Sequence, residues 1–111
     1  MEVKSVTNKS LALLELTGRF DSFAAATVAA SMDQATQANP AKVVVDLTGV
    51  DFIDSTGLAV LVQGMKRCRQ NRGDLRLCGL RQPVRMIFEL TRLDRAMEIF
   101  GSQAEAVASF G

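Results

Sequence analysis

With 111 residues, 48% of them apolar, and no tryptophan, tyrosine or histidine, the chain is long enough for one domain with an aliphatic core that needs no metal or disulfide support. The lack of histidine excludes a Ser-His-Asp triad, and no Gly-x-x-x-x-Gly-Lys run is present to hold nucleotide phosphates. No basic-apolar-small leader opens the chain and no apolar run approaches the roughly 18 residues of a membrane span, so a cytoplasmic protein without membrane insertion is expected.

In chain order, Val3 to Val6 and Leu11 to Leu16 flank the polar connection Thr7-Asn8-Lys9-Ser10 and predict a hairpin. Gly18-Arg19-Phe20-Asp21 leads into an alanine-rich segment, Phe23 to Gln37, which predicts a first helix with Asp21 or Ser22 as cap and Asn39-Pro40 as stop signal. Phe20 and Phe23 are both assigned to the core rather than to a contact surface, because large apolar residues usually go inside. Val43, Val44 and Val45, with Leu47 beyond Asp46 and no alternation, predict a central strand covered on both faces. Gly49 is expected to break it.

The hydrophobic period then changes, with Leu58, Leu61, Val62, Met65 and Cys68 at helical spacing. Asp54 or Ser55 suits the N-cap of this second helix, because a short side-chain oxygen can accept a bond from a free first-turn amide. Its end is placed at Asn71-Arg72-Gly73, with the glycine expected to take the left-handed conformation. Leu75 to Leu80 predicts a strand, and Pro83 fits the first turn of a third helix carrying Val84, Ile87, Phe88 and Thr91, with Leu90 alongside. Leu93-Asp94 is expected to end that helix. Met97 to Phe100 predicts a short edge strand, and Ser102 to Glu105 has capping-box spacing for a terminal helix.

Strands alternating with helices imply an α/β layer with a mixed sheet of four to five strands and about four helices, the hairpin antiparallel and the later strands joined by helical crossovers. Cys68 falls on a helix and Cys78 on a strand, in neither a metal nor a redox spacing, so both are expected to be reduced, buried thiols.

The formal net charge of +1 hides an uneven distribution. Residues 1–54 carry four Lys/Arg against seven Asp/Glu, whereas residues 66–95 carry nine against three. Such asymmetry can orient a partner. The basic part has no aromatic stacking platform, RNP-like run or zinc spacing, so direct nucleic-acid binding is not expected. Most of its arginines are assigned to exposed helix faces, their stems covering apolar surface.

Two readings compete at Asp54-Ser55-Thr56. One is helix capping alone, which these residue types favour by mechanism. The other is a hydroxyl presented for modification, favoured by three carboxylates, Asp46, Asp51 and Asp54, within nine residues, where a cap needs one. An enzymatic alternative would use the same three carboxylates to hold magnesium, but carboxylates close in sequence need not converge. Ser55 also lacks a Gly-x-Ser-x-Gly elbow. No catalytic residue, metal or cofactor is assigned, and Ser55 is read as a substrate rather than a nucleophile.

Val43-Val44-Val45-Asp46-Leu47 followed by Phe52-Ile53-Asp54-Ser55-Thr56-Gly57-Leu58 resembles the signature of the STAS domain, specifically that of the single-domain bacterial anti-sigma factor antagonists. Gly18-Arg19-Phe20-Asp21 resembles the family's Gly-x-x-Asp at the end of the second strand. Gly73 to Leu77 and Val84 to Leu93 resemble its later turn, strand and helix. The resemblance spans essentially the whole chain, which implies that residues 1–111 form a single STAS domain. It implies a phosphorylation-controlled partner switch. Ser55 would be phosphorylated by an anti-sigma factor that is also a serine kinase with a histidine-kinase-like ATPase fold, with Thr56 as the second-choice acceptor. The unphosphorylated form would bind that kinase and free the sigma factor, the phosphorylated form would let go, and a PP2C-type phosphatase would reset it. Asp21, Asp54, Thr56 and Gly57 would line the contact. Gly57 has an equal reading as a small first-turn residue. The alternative within the same family is a constitutive subunit of another signalling or lipid-transport assembly, with Ser55 only a cap.

Overall fold

The computed structural model describes residues 1–111 and contains one five-stranded sheet. Strands β1 (Glu2–Asn8) and β2 (Leu11–Phe20) form the expected antiparallel hairpin, with Val3 opposite Leu16 and Val6 opposite Leu13. The chain continues through helix α1 (Ala25–Ala35), β3 (Lys42–Ile53), α2 (Ser55–Gln70), β4 (Asp74–Cys78), α3 (Gln82–Leu90), the single turn α4 (Leu93–Ala96), β5 (Ile99–Phe100) and α5 (Gln103–Ala108). The strands lie in sequence order, and β2 to β5 pair in parallel. Each parallel pair needs a crossover, and the intervening helices supply it.

Alternation along β3 divides its side chains between two layers. Val43, Val45 and Leu47 join Leu14, Leu16, Leu75 and Leu77 beneath Val28 and Met32 of α1, Leu61 and Met65 of α2, and Phe88 of α3. Val44 points the other way, with Cys78, against Ala106 of α5. All three valines are fully buried, as the unbroken β-branched run predicted. The segment from Leu93 to Phe100 yields two short elements, α4 and the edge strand β5, so the helix count is five rather than four.

Gly49 does not end β3. The strand runs on to Ile53, and two shifts in its pairing with β2 each insert one extra residue on the β3 side. Glu15 pairs with Asp46 but Thr17 with Gly49; Gly18 pairs with Val50 but Arg19 with Phe52, leaving Asp51 unpaired. A Cβ at Gly49 would lie 2.9 Å from the Leu16 carbonyl oxygen, so the glycine permits close strand approach at the first bulge.

The end of α2 also differs in detail. The left-handed residue is Arg72, with φ 63°, and not Gly73. Gly73 is needed for space, since a Cβ there would sit 1.7 Å from the Ala41 carbonyl oxygen. Helix α1 starts later than predicted, at Ala25, and Ala24 at its N-cap makes no side-chain capping bond.

Candidate functional site

The last rung between β2 and β3 pairs Phe20 with Ile53, and the Asp54 amide donates to the Phe20 carbonyl at 3.2 Å. Phe20 is fully buried and anchors this end of the sheet. The next residue on each strand is an aspartate, so register alone brings Asp21 and Asp54 to the same sheet end. The second bulge lies immediately before it.

Asp54 is the N-cap of α2. Its Oδ1 accepts from the Gly57 amide at 3.0 Å, and its Oδ2 accepts from the Ser22 amide at 3.2 Å. One carboxylate therefore closes the helix start and ties the β2–α1 loop to it. Asp21 holds that loop from its other side, its Oδ1 accepting from the Phe23 and Ala24 amides, both at 3.1 Å. Instead of capping α1 directly, Asp21 organises the turn that precedes it. Arg19 lies with its Nε 3.8 Å from Asp21 Oδ2, and its guanidinium carbon is 4.0 Å from the Phe52 ring centroid. A cation on an aromatic face gains electrostatic attraction there.

Ser55 is the first residue of α2 and is exposed, as is Thr56. Because Asp54 takes the capping role, the Ser55 side chain is not needed for it. Gly57 is buried, and a Cβ there would lie 2.6 Å from the Phe20 carbonyl oxygen and 2.9 Å from Ile53 Cγ1. Its surroundings thus account for its small size through inward packing.

The three carboxylates singled out in the sequence do not act as one group. Asp46 is committed to the α5 side, accepting from the Thr48 amide at 2.9 Å, from Thr48 Oγ1 at 2.6 Å and from Gln103 Nε2 at 2.8 Å. Asp51 is the exposed, unpaired residue of the second bulge. No three His, Cys, Asp or Glu side chains gather closely enough to hold a metal ion. The magnesium alternative fails on this divergence. Asp21, by contrast, joins Asp54 from a distant part of the chain.

Phe23 overturns its core assignment, for it is 93% exposed. The turn from Asp21 points Phe20 inward and Phe23 outward, so only one of the two aromatics can face the core. Sequence reasoning also missed Arg19 and the Ser22 amide. Nothing in the residue type of Ser22 signals a backbone donor, whereas the bulky apolar residue two places after Gly-x-x-Asp was visible.

Several cations of the basic segment are engaged internally. Arg67 pairs with Asp33 between α1 and α2. Arg69 and Arg76 reach Asp74 at 3.0 Å and 3.2 Å, and Arg76 also covers the Phe110 ring at 4.1 Å. Lys66, Arg72, Arg81, Arg92 and Arg95 are exposed. The two cysteines are buried and unpaired. Burial, reinforced by Asp74, pushes the Cys68 thiol up to about 12; burial, with Asp46 and Glu15 nearby, does the same to Cys78.

Comparison with known proteins fits this architecture to a family. The family model described as the STAS domain matches residues 2–106. The chain belongs to the STAS domain family. Among curated STAS relatives, an anti-sigma F factor antagonist of Paenibacillus polymyxa is 24% identical over 108 residues, covering 96% of this chain and 92% of the relative. An anti-sigma-B factor antagonist of Listeria monocytogenes is 41% identical over 61 residues, which span 55% of this chain and 54% of that relative. The solved structure of an anti-sigma-factor antagonist STAS domain protein from Planctomyces limnophilus superposes with a TM-score of 0.87 at 24% identity, covering 96% of both chains. That likeness shows the STAS fold. No helix is long and apolar enough to cross a membrane.

Proposed function

We propose that this STAS domain is a cytoplasmic anti-sigma factor antagonist working by partner switching, with Ser55 as phosphoacceptor. The observation that carries the reading is an exposed Ser55 at the head of α2, relieved of capping by Asp54 and set beside a sheet end that Asp21 shares. The names of the Paenibacillus and Listeria relatives support the role. In the unphosphorylated state the domain binds an anti-sigma factor serine kinase and thereby frees the sigma factor. The kinase transfers the γ-phosphoryl group of ATP to Ser55 Oγ, ADP leaves, and the hydroxyl proton passes to a base on the kinase. A PP2C-type phosphatase hydrolyses the phosphoester and restores binding. Asp21, Asp54 and Thr56 form the contact around Ser55, Gly57 supports it from beneath by letting the start of α2 pack on Phe20, and the whole chain acts as one domain.

The physics of release needs no refolding. Phosphorylation adds about −1.5 to −2 charges. At a helix start, the dipole and first-turn amides without intrahelical acceptors accommodate an anion. The nearby carboxylates oppose it. Unit charges at roughly 6 Å in an effective dielectric of about 20 repel by about 3 kcal/mol, less where solvent and salt screen them. A partner that has desolvated this surface bears the cost, and about 3 kcal/mol corresponds to roughly a hundredfold in affinity.

The test is to isolate the protein from its host with and without phosphatase inhibitors and map phosphate by mass spectrometry. Ser55→Ala and Ser55→Asp forms are used in parallel to recover partners. Phosphate on Ser55, with an anti-sigma factor held by the alanine form and released by the aspartate form, is expected. An unmodified Ser55 under every growth condition, with both variants retaining the same partner, contradicts the reading and favours a constitutive STAS subunit.

A further inference from the structure

Of the six phenylalanines, five are buried or half-buried and Phe23 stands 93% exposed, more than any other large apolar side chain. Its backbone is held from both sides. The Phe23 and Ala24 amides donate to Asp21 Oδ1, the Ala24 and Ala25 amides donate to the Asp21 carbonyl, and the preceding Ser22 amide donates to Asp54 Oδ2. An aromatic ring on a pinned loop loses little conformational freedom on docking, because only its own two side-chain torsions remain to be fixed. The same bond from Ser22 to Asp54 ties Phe23 to the start of α2. A partner that covers Ser55 and extends over the loop bonded to Asp54 reaches this ring.

We propose that Phe23 is the apolar anchor of the Ser55 surface, filling a pocket on the anti-sigma factor that is apolar at its floor and basic at its rim. This rests on the partner-binding role proposed above and names the residue that supplies most of its affinity. The chemistry of the rim follows from charge. Asp21, Asp51 and Asp54 lie on this end; of the two cations beside it, Arg19 is already placed against Asp21 and the Phe52 ring, and the other is the Met1 amino terminus, so the carboxylates stay in excess. Such a surface is complementary to a basic partner and repels an anionic lipid headgroup layer, so a folded protein is the occupant. A buried aromatic surrounded by polar contacts is the arrangement in which single residues dominate binding. Beside the ring, Met1, Arg19, Asp21, Ala24 and Thr27 line a shallow depression into which a partner side chain can reach.

The test uses the full chain and the purified anti-sigma factor recovered with the Ser55→Ala form. Phe23→Ala is expected to weaken binding at least about thirtyfold, as loss of a dominant anchor does, and Phe23→Leu to recover most of it. Both variants should unfold at the wild-type urea midpoint, since an exposed ring contributes little to stability. Leu90→Ala, at another exposed apolar residue (74%) on α3, should bind as wild type. Binding of Phe23→Ala within threefold of wild type, while Ser55→Asp still releases the partner, overturns the anchor and leaves the Ser55 reading standing. A loss confined to Leu90→Ala overturns it too. If the wild-type chain binds no anti-sigma factor, the functional reading falls and the anchor falls with it.

Discussion

Replacing Asp54 separates the structural from the recognition role of the residue before Ser55. Asp54→Ala removes the bond from the Gly57 amide at 3.0 Å and the bond from the Ser22 amide at 3.2 Å. Loss of an N-cap costs about 1 kcal/mol. The second bond, charge-assisted but partly exposed, adds roughly 1 kcal/mol. The expected loss is about 2 kcal/mol, which for a domain of this size lowers Tm by roughly 8 °C. Asp54→Asn is the informative partner. Asparagine caps about as well as aspartate and its amide oxygen keeps one of the two bonds, so about 1 kcal/mol or less should be lost, including the helix-dipole contribution of the charge. Urea unfolding of both variants, followed by circular dichroism, reads the difference. An unchanged midpoint for Asp54→Ala would refute the claim that this carboxylate holds the loop and the helix together. Equal losses in both variants would show that its charge, rather than its hydrogen-bonding geometry, is what matters.

Three further outcomes follow from the packing. Gly57→Ala places a methyl group 2.6 Å from the Phe20 carbonyl and should destabilise by roughly 1–3 kcal/mol in urea unfolding; a neutral result would show that the sheet end is looser than described. Gly73→Ala should be more disruptive still, since its methyl would meet the Ala41 backbone at 1.7 Å, and loss of soluble expression or a large drop in Tm checks it. Cys68 and Cys78, raised from 9.0 to about 12, hold protons in the folded state that the unfolded chain releases. Their contribution to stability is therefore complete below about pH 9 and lost as pH rises toward 12. The urea midpoint should fall over that window, less so in a Cys68→Ala, Cys78→Ala double variant, and native thiols should resist alkylation at pH 8.

Much of this arrangement was legible in the residues because local and global preferences coincide. The run from Val43 to Val45 has no polar face to show, so it had to be covered on both sides, and it is. Ser102 and Glu105 have capping spacing, and the Ser102 hydroxyl does accept from the Glu105 amide at 3.2 Å. Ambiguity arose where one residue type serves two physical ends. Glycine marks both strand breaks and bulges, and only the Leu16 carbonyl beside Gly49 decides between them. At the end of α2, the close approach of Ala41 claims Gly73, leaving Arg72 to take the left-handed conformation. At the candidate site, Asp54 was visible as a cap. The bonds from Thr48 to Asp46 are local, but that Asp46 also belongs to Gln103, while Asp21 shares the sheet end with Asp54, depends on tertiary packing and strand register that no local pattern encodes. Phe23 was misassigned because a general preference for burial says nothing about which of two nearby aromatics a turn points inward.

The central claim, release by charge on Ser55 without refolding, is tested most directly by calorimetric titration of unphosphorylated and Ser55-phosphorylated protein with the purified anti-sigma factor, alongside amide NMR spectra of both forms. The account predicts a loss of affinity of roughly a hundredfold or more, with shifts confined to the start of α2 and the Asp21 loop. Equal affinities, or spectral changes running through the core strands, would contradict it.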